Sequence, residues 1–139
     1  MKVKVVSDLH LEFGPIDLYN TDGADVLILS GDICVVNGLL PDDSSGIAIG
    51  TRSQRYHEFF QFVSGQFKKV IYVLGNHEHY HYDFKYTFTD MKKRLGYLDN
   101  LVMLDKQSFT LGDVCFVGGT MWTDMNKEDY FTLYHVKDA

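Results

Sequence analysis

Three short apolar segments constrain this chain most, because all three end in the same way. Residues 3–6 run into Ser7-Asp8, residues 26–29 into Ser30-Gly31-Asp32, and residues 70–74 into Gly75-Asn76-His77. Each is mostly β-branched or aliphatic and shows little alternation, the pattern of strands buried on both faces of a sheet. Each stops at a residue able to bind a metal or a phosphate. In open α/β sheets, ligands bind beyond the carboxyl ends of the strands, where these residues fall.

Helical signals separate and follow the third segment. Tyr56, Phe59, Phe60, Val63 and Phe67 form one apolar stripe. Thr51 and Gln54 match a capping box, so a helix is expected over 52–67. Phe84, Phe88, Met91 and Leu95 mark a second helix over 83–95, closed by Gly96. The order β-β-α-β-α implies an α/β fold with a mainly parallel sheet and helical crossovers. After Gly96, residues 101–104, 108–111 and 114–117 are short strand candidates, with a tight turn at Gly112-Asp113. That part is expected to be antiparallel or mixed. Residues 36–50 read as a long turn-rich rim loop, and residues 127–139 as a helix.

At 139 residues the chain suits one domain, taken as residues 1–139. The longest apolar run has five residues against the roughly 20 of a membrane span, so no membrane partner is expected. Charge is lopsided. Residues 1–50 carry eight acids against Lys2 and Lys4 and account for the whole formal charge of −6. Such a chain is poorly suited to non-specific binding of nucleic-acid backbones, which leaves nucleic acid only as a substrate. Metal ions suit it. Cys34 and Cys115 are expected to be small buried thiols without a disulfide, and a reducing cytoplasm is the expected compartment.

The strand ends carry the chemistry. Asp8 and His10 lie two residues apart just past a strand, and extended geometry would face both toward one point. Asp32, from a neighbouring strand, has two oxygens that can each bind one metal. Gly31 and Gly75 leave room for sharp turns, and Asn76 offers a neutral amide oxygen. Mixed oxygen and nitrogen donors suit Mn²⁺, Fe or Zn²⁺ better than Ca²⁺, with Mn²⁺ favoured. Two divalent ions offset by Asp8 and Asp32 would keep about +2, or about +1 with a bridging hydroxide, still attractive to a phosphate.

The set D-x-H, G-D and G-N-H-E, spaced by 24 and 44 residues, resembles the calcineurin-like metallophosphoesterase superfamily. The resemblance runs from Met1 to about Asp124 and includes the segment from Gly118 to Asp124. It implies a sandwich of two β-sheets flanked by helices, of which this chain would supply the N-terminal half to two-thirds. It also implies two divalent metal ions: Asp8 and His10 on the first, Asp32 bridging, and Asn76 on the second. His77 would stand near the leaving group as general acid or as a stabiliser of phosphate charge. The implied activity is hydrolysis of a phosphomonoester or phosphodiester by a metal-activated hydroxide.

The family also uses later histidines, including a Gly-His-x-His motif, and these have no counterpart here. After Asp124 the one histidine is His135, expected at the surface. The chain therefore also reads as a non-catalytic metal-binding half-domain that needs self-association or a complementing chain. It further reads as a short variant with a weakened site. Apolar surface on the first sheet would then be exposed. His79 and His81 are expected in a solvated loop, and Trp122 in packing.

Overall fold

The computed structural model describes residues 1–40, 50–122, 127, 129 and 130. Its elements in chain order are β1 (Val3–Val6), β2 (Val26–Ser30), α1 (Arg52–Gln66), β3 (Lys69–Val73), α2 (Phe84–Arg94), β4 (Leu101–Met103), β5 (Gln107–Leu111) and β6 (Val114–Gly118). Two 3-10 turns, Val36–Gly38 and His77–His79, lie after β2 and β3. Strands β1 to β4 pair in that order, all parallel. β5 and β6 form a separate antiparallel hairpin. The result is a mixed α/β arrangement with a parallel four-stranded sheet, a second sheet and flanking helices, as the resemblance implies for an N-terminal portion.

Alternation along the central strands sorts their side chains onto two faces. Leu27, Leu29, Val70, Tyr72 and Met103 join Tyr56, Phe60 and Val63 of α1 and Met91 of α2 in the larger core. Val26 and Ile71, with Leu104 just past β4, form a smaller core against Phe109, Leu111 and Phe116 of the hairpin. The uninterrupted apolar runs of β2 and β3 thus reflect cover on both sides. β1 departs from that expectation. It is an edge strand, and on the hairpin face Val3 is 39% and Val5 61% exposed.

The helix termini follow local chemistry. Thr51 accepts from the Gln54 amide (3.2 Å), as a capping residue should. Gln54 reaches back one residue further than a capping box requires, accepting from the Gly50 amide. Asp83 caps α2 by accepting from the Lys85 amide (3.0 Å). Gly112 takes a positive φ of 60° at the first central position of the β5–β6 turn, where glycine fits without a Cβ clash. Cys34 is buried as expected, whereas Cys115 is exposed because it falls on the outward face of β6. The stretch expected as a rim loop holds the first 3-10 turn, and most of the rest lies outside the described residues. The same holds for most of the expected helix over 127–139 and for His135.

Candidate metal centre

The loops after β1 and β2 continue the strand pairing beyond the sheet. The Asp8 amide donates to the Gly31 carbonyl (3.0 Å), the His10 amide to the Asp32 carbonyl (3.0 Å), and the Leu11 amide to the Ile33 carbonyl (2.8 Å). The two residues of D-x-H are not extended, however. Asp8 has φ 55°, His10 φ 47° and Asp32 φ 55°. Their convergence therefore comes from left-handed backbone, not from strand alternation. Each such residue costs of order 1–3 kcal/mol and persists only where its surroundings dictate it. Asp and His are among the side chains that tolerate this region best.

The loops after β2 and β3 are fastened by two devices. Gly31 and Gly75 meet so closely that a Cβ on Gly31 would lie 2.9 Å from the Gly75 Cα. A Cβ on Gly75 would lie 2.7 Å from the Asp32 amide nitrogen and would collide with its carboxylate. Glu78 supplies the second device. Its Oε2 accepts from the Asp32 (3.1 Å) and Gly75 (2.8 Å) amides, and its Oε1 from the Ile33 amide (2.8 Å) and the Tyr72 hydroxyl (2.6 Å). Glu78 is fully buried. Burial pushes its carboxyl pKa up, against these hydrogen bonds, which favour the carboxylate. Burial likewise pushes up the neighbouring Tyr72 hydroxyl and Cys34 thiol.

Asp32 Oδ1 accepts from the His77 amide (2.9 Å), which ties the bridging candidate to the third loop. Asn76 precedes the 3-10 turn, and its amide nitrogen donates to the Tyr80 hydroxyl (3.2 Å). His10 and His77 meet edge to face at 4.4 Å, and His77 stacks on Tyr80 at 4.3 Å. The residue that joins these histidines is one the sequence reading passed over. Glu12 Oε1 lies 3.0 Å from Nδ1 of His10 and 3.0 Å from Nδ1 of His77. Burial would push the Glu12 carboxyl up. Its own backbone amide and the two imidazoles outweigh that and hold it below the usual glutamate range. A signal existed in its place two residues beyond His10, within the same loop.

Asp8, His10 and Asp32 each offer one ligand atom within 4.8 Å of the others. His10 Nε2 and Asp8 Oδ1 are 3.9 Å apart, a span that two bonds of about 2.1 Å to one ion can close. Among the described residues no Lys or Arg forms an ion pair with Asp8, Glu12 or Asp32. Carboxylate and imidazole donors with no competing cation fit a divalent ion. His10, Glu12 and His77 form a second compact group that shares His10 with the first.

Two expectations near the site change. His81 is exposed, but His79 is half-buried, and its Nδ1 is buried without a partner among the described residues. Burial lowers its pKa, with Asp105 opposing. It stacks on Phe84 at 4.3 Å and lies 5.9 Å from the Trp122 ring. These three rings help wall a cavity of about 260 Å³ that also meets Lys85, Phe88 and Lys106. Trp122, expected to pack, remains 44% exposed beside it.

Comparison with known proteins fits this geometry. A family model described as calcineurin-like phosphoesterase matches residues 1–138. One curated relative is the uncharacterized protein L509 of Acanthamoeba polyphaga mimivirus, 28% identical over 135 residues. The alignment covers 90% of this chain and 45% of L509, so the chain spans about half the length of that relative. No solved structure matches the chain. Since the family match takes in all three candidate ligand loops and both sheets, the chain belongs to the calcineurin-like phosphoesterase family, whose type is a metal-dependent hydrolase of phosphoesters.

Proposed function

We propose that residues 1–139 belong to a single metallophosphoesterase domain whose strand-end loops hold the metals of a phosphomonoesterase or phosphodiesterase. Asp8 and His10 would ligate one ion, Asp32 both, and Asn76 the second. The ions, with Mn²⁺ favoured, would supply positive charge to grip phosphate oxygens and would ease deprotonation of the attacking water. His77 would face the leaving group and hold a proton or a hydrogen bond for the departing oxygen. Glu78 and the Gly31–Gly75 contact would keep the loops in register. A cytoplasmic, reducing setting suits the two unpaired thiols.

One observation carries the reading. Asp8, His10 and Asp32 converge within 4.8 Å on strained backbone, with no Lys or Arg paired to them among the described residues. The test is Mn²⁺-dependent hydrolysis of p-nitrophenyl phosphate and its bis-ester. The expected result is turnover that Asp32→Ala abolishes. No turnover with Mn²⁺, Fe²⁺ or Zn²⁺ would sink the reading for this chain by itself.

A second reading has its own support, since the chain spans 45% of L509. In it the 139 residues are a metal-binding portion that acts only once self-association or another chain completes the site. It predicts at most one Mn²⁺ per chain and an oligomer in solution, measured by elemental analysis and light scattering.

A further inference from the structure

Glu12 places a single carboxylate oxygen between two imidazoles of different loops, 3.0 Å from Nδ1 of each. Its side chain is 8% exposed, and its Oε2 is buried without a partner among the described residues. Its described side-chain hydrogen bonds are therefore the two imidazoles. The backbone there is anchored from α1. Arg55 Nη1 donates to the carbonyls of Leu11 (2.8 Å) and Glu12 (3.4 Å), and the Leu11 amide is bound to Ile33.

We infer that Glu12 is a positioning residue that fixes both His10 and His77 as Nδ1–H donors, leaving each Nε2 for work in the site. The inference rests on the proposed metal site. A carboxylate oxygen only accepts, and it has lone pairs enough for two donors. Each imidazole must then carry its hydrogen on Nδ1. The opposite nitrogen of His10 is the one 3.9 Å from Asp8, on the side of the candidate metal group. This is the outer-sphere arrangement that orients a metal-bound imidazole and raises its basicity. Here one carboxylate does this for a ligand candidate and for the leaving-group histidine together. The two groups that share the reaction would thus be set by one anchor, each held by its own hydrogen bond to the same oxygen. Direct ligation by Glu12 is the competing arrangement, since His10, Glu12 and His77 also lie close enough to share an ion.

His57 provides an internal control. Its Nε2 faces the Leu40 carbonyl at 2.7 Å and must donate, while its Nδ1 meets the Tyr97 hydroxyl at 2.7 Å. It therefore holds the opposite tautomer, remote from Glu12 in the chain.

The experiment is long-range ¹H–¹⁵N spectroscopy of the ¹⁵N-labelled, metal-free chain near neutral pH, in the wild type, Glu12→Ala and Glu12→Gln. The wild type is expected to show two imidazoles with protonated Nδ1 and bare Nε2. Glu12→Ala loses this pattern while the His57 signals stay in place, which also shows that the variant is folded. Glu12→Gln keeps an acceptor oxygen and retains the pattern in part. Mn²⁺ titration should then show affinity lowered about 10- to 100-fold in Glu12→Ala with the number of ions per chain unchanged. Persistence of both Nδ1–H signals in Glu12→Ala, or unchanged Mn²⁺ affinity, overturns the inference. Loss of one whole ion per chain also overturns it, because Glu12 would then be a ligand. The tautomer signals do not depend on turnover. An inactive wild type with the expected tautomers would remove the proposed hydrolase and leave the positioning role intact.

Discussion

The two ends of the parallel sheet treat their carboxylates in opposite ways. At the amino ends of the strands, Asp25 accepts from the Lys2 amide (2.9 Å) and from Lys68 Nζ (2.7 Å), and Asp22 pairs with Lys4 (3.2 Å). At the carboxyl ends, Asp8, Glu12 and Asp32 have imidazoles, hydroxyls and amides for neighbours and no paired Lys or Arg among the described residues. The backbone differs likewise. Non-glycine left-handed residues occur at Asp8, His10 and Asp32 beyond the carboxyl ends, while β1 to β4 start without one. One end is closed by its own side chains. The other accepts strain and acid charge that no Lys or Arg offsets among the described residues, which is the condition of a site that takes up a cation.

The largest way to break this comparison is to remove the buried clamp. Glu78→Ala leaves three backbone amides and the Tyr72 hydroxyl without their acceptor. It should lower stability by about 3 kcal/mol, read from urea unfolding of the metal-free chain. Next, Gly75→Ala drives a methyl into the Asp32 carboxylate. Displacing that group by a fraction of an ångström should cut Mn²⁺-dependent turnover about 100-fold, with the chain still folded by circular dichroism.

A smaller effect of opposite sign is expected at Asp8, whose side chain is 66% exposed. Asp8→Gly relieves the left-handed strain, partly offset by the greater freedom of glycine in the unfolded chain. The metal-free protein should be unchanged or up to about 1 kcal/mol more stable, while Mn²⁺ binding falls. Clear destabilisation would show that Asp8 is held for the fold instead. The smallest effect belongs to the other end. Lys68 and the Lys2 amide hold the Asp25 carboxyl below the usual aspartate range. Its contribution is present above that usual range and is lost as pH falls through the lowered value. Asp25→Asn should therefore flatten the acid limb of the stability profile and leave Mn²⁺ binding untouched.

Much of this contrast was legible in the chain. β2 and β3 announced themselves because strands covered on both faces read as unbroken apolar runs, and the polar residues that stop them became the candidate ligands. β1 reads as a strand too, but Lys4 interrupts its apolar run, and a four-residue segment does not reveal that it lies at an edge. Left-handed φ at Asp8 and His10 left no mark, since Asp and His are ordinary residues after a strand. Glu12, and the clamping role of Glu78 within G-N-H-E, were hidden for a different reason. Their partners lie far away in sequence, 65 residues from Glu12 to His77 and 46 from Asp32 to Glu78. Only the folded sheet brings those loops together.

The central claim is that the carboxyl end of the sheet binds the metal and the amino end does not. Calorimetric titration of Mn²⁺ into the wild type, Asp32→Ala and Asp25→Ala tests it most directly. Saturable binding is expected in the wild type and in Asp25→Ala, and loss of that binding in Asp32→Ala. Binding that survives Asp32→Ala, or that disappears in Asp25→Ala with the fold intact, would contradict it.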